Sequence, residues 1–294
     1  MAFKFSPQLQ LQLLLLAAHV ISARELGSHS HKSAQFVFPQ CLEGSRKGNN
    51  IEGIHNVKIY LHRYGYLTND IETDYNVFDD ALESALITYQ RNYRLNVSGV
   101  LDRETLAVMS KPRCGLPDIV QSHNNKNISQ AHFTFMPGLP KWPKSKYHLT
   151  YGFIKDFPPK FAMAVREAFE QWEGNSVFTF SPATRVQSAD ITLSFERGDH
   201  GDPYPFDGPW GKLAHAFRPG DGRVHFDADE NWVVGPREDA FDLVMVALHE
   251  LGHALGLGHS FIQEAVMWAY LDPGVSKGLN MDDIVGLQTL YSEK

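Results

Sequence analysis

Three histidines and one glutamate carry the strongest chemical signal in this chain: His249-Glu250-Leu251-Gly252-His253-Ala254-Leu255-Gly256-Leu257-Gly258-His259. His249 and His253 stand four apart, so a helix places both imidazoles on one face, one turn apart. Gly256 can take the left-handed backbone that ends a helix, and the turn then brings His259 back toward the same point. Three neutral imidazoles suit a zinc ion and leave its fourth position open to water. Zinc lowers the pKa of that water from about 15.7 to about 7. Glu250, beside His249, can take the proton and pass it to a leaving amine. With 14 His and 23 Gly in 294 residues, chance places these five residues in this pattern in about one such chain in ten thousand.

Other residues suit metals less specifically. His200, Asp202, His215 and His225 offer three imidazoles and a carboxylate across a Gly/Pro-rich stretch, the donor set of a closed structural zinc site. Asp207, Asp227 and Glu230 are hard oxygen donors suited to calcium, or else solvated acids on a loop. Cys114 stands in Pro112-Arg113-Cys114-Gly115-Leu116-Pro117-Asp118. Its thiolate would make a fourth zinc ligand and exclude the water. Alternatively, Cys114 pairs with Cys41 or is an inert buried thiol.

The elements that must hold these groups follow from periodicity. Val57, Tyr60, Leu61 and Tyr64 share a helix face, and Phe78, Leu82, Leu86 and Tyr89 repeat it. A third short helix follows Asp102 as N-cap, with Leu106 and Met109 turned inward. Residues 24–50 read as a loose polar leader, and 119–130 as an exposed, Asn-rich connector without a paired-basic cleavage site. Alternation at Leu149, Tyr151, Phe153 and at Ile191, Leu193, Phe195 predicts strands. Phe161, Val165, Phe169 and Trp172 mark a long helix between them. A Gly/Pro/Asp-rich stretch, 198–222, is predicted to be irregular. Helices follow at about 241–255 and 281–291.

Composition limits the setting. Hydrophobic residues are 43% and charged residues 21%, so most of the chain should fold; a net charge of −7 argues against a nucleic-acid partner. Two cysteines do not make a disulfide scaffold. Residues 1–23 read as a cleaved secretory signal, and the polar C-terminus lacks a lipid-anchor tail. A secreted, soluble protein is expected, with Asn96 and Asn127 as glycosylation acceptors.

The zinc pattern, followed by Ala265-Val266-Met267-Trp268 where a Met-turn belongs, resembles the metzincin proteases. The segment around Cys114 resembles the cysteine switch of the matrix metalloproteinases, or matrixins. The resemblance runs from Pro140-Lys141-Trp142 through Met281-Asp282-Asp283-Ile284 to Tyr291, and is closest to the short plant-type secreted members. It implies an α+β catalytic domain over 131–294, with helices and a mostly parallel, twisted mixed sheet. Before it would lie a propeptide over 24–130, with a peptidoglycan-binding-like three-helix unit at 51–111 and the switch at 112–118. No propeller-like domain is expected after it.

By the same resemblance Cys114 holds the zymogen latent, Arg113 and Asp118 brace its loop as an ion pair, and Met267 packs beneath the metal. His200, Asp202, His215 and His225 bind a structural zinc. Asp207, Asp227 and Glu230, with backbone oxygens of Gly208, Trp210 and Lys212, bind calcium. A second calcium site at Asp190 is left open, because the segment 217–223 is shorter than the family loop. A peptide substrate would lie along an edge strand near 211–217, with Met245 flooring the specificity pocket. Trp268-Ala269-Tyr270 departs from the usual Tyr-Pro pair after the turn methionine. The implied function is a secreted, monomeric zinc endopeptidase of the extracellular matrix or cell wall (the apoplast in a plant). It would act on protein or peptide substrates and be activated by another protease or by autolysis. Weighed against it are an inactive extracellular binding module for glycan or protein, and a zinc hydrolase of non-peptide bonds.

Overall fold

A computed structural model describes residues 38–68, 76–119, 132–154 and 156–292. The expected signal segment 1–23, the connector from residue 120 and Asn127 lie outside them.

Three helices form the first half: α1 (Ile54–Arg63), α2 (Asp80–Asn92) and α3 (Arg103–Met109). Asp79 and Asp102 cap α2 and α3; their carboxylates accept from the Leu82 and Thr105 N–H groups, both at 2.8 Å. Each satisfies a backbone donor that a helix start leaves without a partner. The two predicted apolar faces meet in one buried core with Leu106 and Met109. That core also takes in Trp268 and Tyr270 from the far end of the chain. The loose leader is corrected from residue 38 onward. Gln40–Leu42 make a short 3-10 turn, and Phe38 and Leu42 are buried in the helical core. Two well-placed apolar residues outweigh the polar composition around them.

The second half runs β1 (Phe133–Phe135), β2 (His148–Phe153), α4 (Pro159–Glu173), β3 (Thr179–Pro182), β4 (Ile191–Glu196), β5 (Ala214–Ala216), β6 (Arg223–Asp227), β7 (Trp232–Val233), β8 (Phe241–Asp242), α5 (Leu243–Ala254), β9 (Leu257–Ser260) and α6 (Met281–Tyr291). One five-stranded sheet has the order β3-β2-β4-β6-β5. Its pairings are parallel except for β5, which joins β6 antiparallel at the edge. The edge strand falls within the stretch whose composition predicted irregular structure, and within 211–217, where the resemblance placed an edge strand. Leu213, Ala214 and Ala216 are buried there, which holds three residues extended despite the Gly and Pro around them. α5 starts two residues later than predicted, because Phe241 and Asp242 pair with β7 first. Every residue of α5 is buried, with α4 alongside. No helix among the described residues is long and apolar enough to cross a membrane.

Candidate active site

The candidate ligands sit on α5 and the strand that follows it. Asp242 caps α5 by accepting from the Val244 N–H at 3.1 Å, and is itself held by the Gly235 N–H and the Ser276 hydroxyl. At the other end Trp142 Nε1 donates to the Ala254 carbonyl and the Tyr291 hydroxyl to the Leu255 carbonyl, each at 2.9 Å. Those carbonyls would otherwise be orphaned at a buried helix end. Gly256 then takes φ +106, and a Cβ there would overlap the Pro140 carbonyl and Leu290. The chain turns into β9, which pairs with β1 and carries His259.

The rings converge. His249 Nδ1 lies 2.7 Å from the Val266 carbonyl and His253 Nδ1 2.8 Å from the Leu257 carbonyl. A carbonyl only accepts, so each Nδ1 carries the proton and each Nε2 a bare lone pair. The two Nε2 atoms nevertheless stand 3.1 Å apart. Two lone pairs at that distance repel unless a cation lies against both. His259 Nε2 is buried and without a hydrogen-bond partner among the described residues. Burial, then the neighbouring imidazoles, push His249 and His253 well below the usual histidine range, which keeps them neutral. Cys114 Sγ completes the group, 3.5 Å from His253 Nε2, with all four donor atoms within 4.8 Å of one another. The donor set and the facing lone pairs fit a zinc ion.

Glu250 lies beside this group, with both carboxyl oxygens buried and unpartnered among the described residues. Burial pushes its carboxyl up to about 8. Beneath the site, a Cβ on Gly252 would overlap Met267 Sδ, so the glycine lets this methionine lie against the helix. Sequence reasoning missed what holds that methionine. Asp283 is fully buried and accepts from the Val266 and Met267 N–H groups at 2.9 and 3.1 Å. It thereby fixes the carbonyl that orients His249. Trp142 and Tyr291 were legible only as ends of a resemblance, not as the groups that close α5.

Cys114 reaches the histidines on an extended segment between β5 and residues 269–271. The Arg113 N–H donates to the Gly211 carbonyl and the Leu213 N–H to the Arg113 carbonyl; on the other side the Cys114 N–H donates to the Ala269 carbonyl at 2.9 Å. The expected Arg113–Asp118 ion pair is present and fully enclosed. Its guanidinium lies 3.5 Å from the Tyr64 ring centroid and donates to the Tyr60 hydroxyl. Burial alone would raise the Asp118 carboxyl, but Arg113 and His259 outweigh it and hold it below the usual carboxylate range. Cys41 is exposed and Cys114 buried, both as free thiols, so the alternative of a disulfide between them is absent.

The matrixin family profile matches residues 141–292, just over half the chain, and a peptidoglycan binding domain profile matches residues 50–109. Metalloendoproteinase 1 of Glycine max is 44% identical over 256 residues, 83% of this chain and 83% of that protein. Metalloendoproteinase 2-MMP of Arabidopsis thaliana is 39% identical over 275 residues, 84% of this chain and 73% of its own. Matrix metalloproteinase-16 of Mus musculus is 39% identical over 259 residues, 82% of this chain and 42% of that protein. The chain belongs to the matrixin family. It is a zinc metalloendopeptidase of the α+β matrixin fold, with plant metalloendoproteinases among its relatives.

A second group in this matrixin converges as the sequence suggests. His215 and His225 are register partners across β5 and β6. Asp202 Oδ2 lies 3.0 Å from His215 Nε2 and 2.9 Å from His225 Nδ1. His200 Nε2 is 2.9 Å from the same oxygen without an aligned hydrogen bond. Three ring nitrogens around one carboxylate oxygen suit a tetrahedral cation. The acidic loop is less complete. Asp207 accepts from the Lys212 N–H and Glu230 from the Trp210 N–H, while Asp227 Oδ2 and Glu230 Oε2 are buried and unpartnered among the described residues. Asp190, left open as a second calcium ligand, is engaged by the Lys146 ammonium and by Thr150. Asn96 is exposed in the helical unit. The matrixin departure at Trp268-Ala269-Tyr270 has a structural use: its two aromatic side chains are buried in the helical core, with Phe261 packed against it.

Proposed function

We propose that this matrixin is a secreted endopeptidase, made latent by residues 24–130, that cleaves extracellular-matrix or cell-wall-associated proteins. The observation that supports this most directly is Cys114, whose thiol shares one 4.8 Å cluster with three histidines. His249, His253 and His259 would hold the catalytic zinc. Bound there, zinc supplies Lewis-acid polarisation of a carbonyl and an acidified water. Glu250 accepts the water's proton and hands it to the leaving amine; a carboxyl displaced upward by burial can both hold and release a proton near neutral pH. A peptide substrate takes the place of residues 112–116, pairing its main chain with the edge at 211–217 and with Ala269. Met245, buried four residues before His249, floors the specificity pocket.

The second histidine cluster is a structural zinc site. Asp207, Asp227 and Glu230, with carbonyls of Gly208, Trp210 and Lys212, hold calcium. Residues 1–23 direct secretion, and the exposed Asn96 accepts a glycan. Cleavage in 119–130, by another protease or by autolysis, releases the catalytic half, 131–294.

The test is peptidase activity of the purified proform in a Cys41→Ser background, since Cys41 is exposed and would compete for thiol reagents. The substrate is a quenched peptide with a bulky apolar residue after the scissile bond. Activity should appear with a thiol-reactive mercurial and vanish with a chelator. In the Glu250→Ala variant it should fall by roughly 10²–10⁴. A folded, zinc-loaded, mercurial-treated protein that cleaves nothing in a secreted-protein mixture would overturn the reading.

A further inference from the structure

Each candidate zinc ligand has its ring fixed from behind, through Nδ1. For His249 and His253 the acceptors are carbonyls of the catalytic half, Val266 and Leu257. His259 differs: its Nδ1 lies 2.9 Å from Asp118 Oδ1, and Asp118 belongs to the segment that carries Cys114. Both side chains are fully buried. Asp118 is pinned from several sides, by the Arg113 guanidinium, by the Tyr93 hydroxyl at 2.7 Å and by its own N–H on the Tyr64 carbonyl.

We propose that Asp118 is a positioning residue for the third zinc ligand. The propeptide segment then grips the metal site twice, with a thiol on the metal side and a carboxylate behind His259. A carboxylate behind an imidazole holds the proton on Nδ1, presents Nε2 to the metal and strengthens the ring as a donor. His259 Nε2 is left bare and buried, as this requires. Departure of the segment therefore strips the zinc of one direct ligand and of the partner that orients another. The latent form holds its zinc more firmly than the active one. This rests on the zinc reading of the site above.

The experiment is zinc transfer from the zinc-loaded full-length proform to a chelating dye, with near-UV circular dichroism to follow the fold. Asp118→Leu is made together with Arg113→Met, so that no buried charge is left alone. Asp118→Asn with the same Arg113→Met keeps an uncharged oxygen that can accept from His259 Nδ1, and serves as the comparison. The Asp118→Leu variant, with Cys114 intact, should release zinc about 10–100-fold faster than wild type, and the Asp118→Asn variant far less so. A folded Asp118→Leu variant with the wild-type release rate overturns the proposal. Should that variant fail to fold, 15N-histidine spectra of the zinc-loaded wild type decide. A protected, hydrogen-bonded Nδ1–H on His259 supports the proposal, and a protonated Nε2 overturns it. A wild-type proform that binds no zinc at these histidines overturns the zinc reading and the proposal together. Zinc binding without peptidase activity counts only against the proposed reaction.

Discussion

Asp227 and Glu230 each bury one carboxylate oxygen without a partner among the described residues, and the consequence is a pH dependence with a definite sign. Burial, then the charges around them, push Asp227 up to about 7 and Glu230 up to about 8. Unfolded, the same groups titrate near about 3.9 and 4.3. The folded chain thus binds more protons across that interval, so their contribution to stability is full below about pH 4 and is lost as pH rises toward about 8. A cation lying between the ionised carboxylates would remove the loss. The urea midpoint of calcium-free protein should therefore fall between about pH 5.5 and 8, and millimolar calcium should flatten that fall. Identical profiles with and without calcium would count against a cation in this loop. At this scale the sequence revealed the groups that sit in one motif, His249, Glu250, His253 and His259. It did not reveal Asp283 or the second role of Asp118, because their partners are reached only through the fold, 141 residues away for Asp118 and His259.

α5 is buried on every side, so no amphipathic stripe anchors it, and its ends carry the burden of placement. Tyr291 sits at one of them, donating to the Leu255 carbonyl and accepting from the Trp142 N–H at 3.0 Å. Tyr291→Phe removes both bonds and should lower stability by about 1–3 kcal/mol, read as a lower urea midpoint with unchanged slope. An unmoved midpoint would mean that water replaces the hydroxyl there. Most elements were legible from period and caps: α1 to α3 from their apolar faces and Asp102, α4 from its Pro start, the end of α5 from Gly256. Period alone did not show β5, since three residues carry too little periodicity to outweigh the Gly and Pro around them; the family resemblance, which put an edge strand near 211–217, did. β5 became an edge strand because Leu213, Ala214 and Ala216 found a core.

The helical unit and the catalytic half share a seam, and Tyr270 is its polar centre. Its hydroxyl lies 2.7 Å from that of Tyr60 and 2.5 Å from that of Tyr89, with Arg113 alongside. Tyr270→Phe strands the buried Tyr89 hydroxyl and removes one of the partners of the Tyr60 hydroxyl without opening a cavity, a loss of about 1–3 kcal/mol that falls on the docked state. On the zymogen reading, basal peptidase activity of the variant proform should rise roughly tenfold for each 1.4 kcal/mol lost. Equal basal activity in variant and wild type would show that the seam does not restrain the segment. Both halves were recognisable in the sequence, each from its own period, whereas the seam was not. From sequence, Trp268 and Tyr270 read only as a departure in a wall of the cleft, and nothing local says that helices far upstream would receive them. One of the pair also makes the molecule report on itself. Trp268 is 9% exposed and stands edge-on to Tyr93, ring centroids 5.0 Å apart. Loss of the helical unit moves that indole from aromatic surroundings into water, so its emission shifts to the red. On the zymogen reading, the chain therefore carries an intrinsic optical signal of its own maturation, visible without label or substrate.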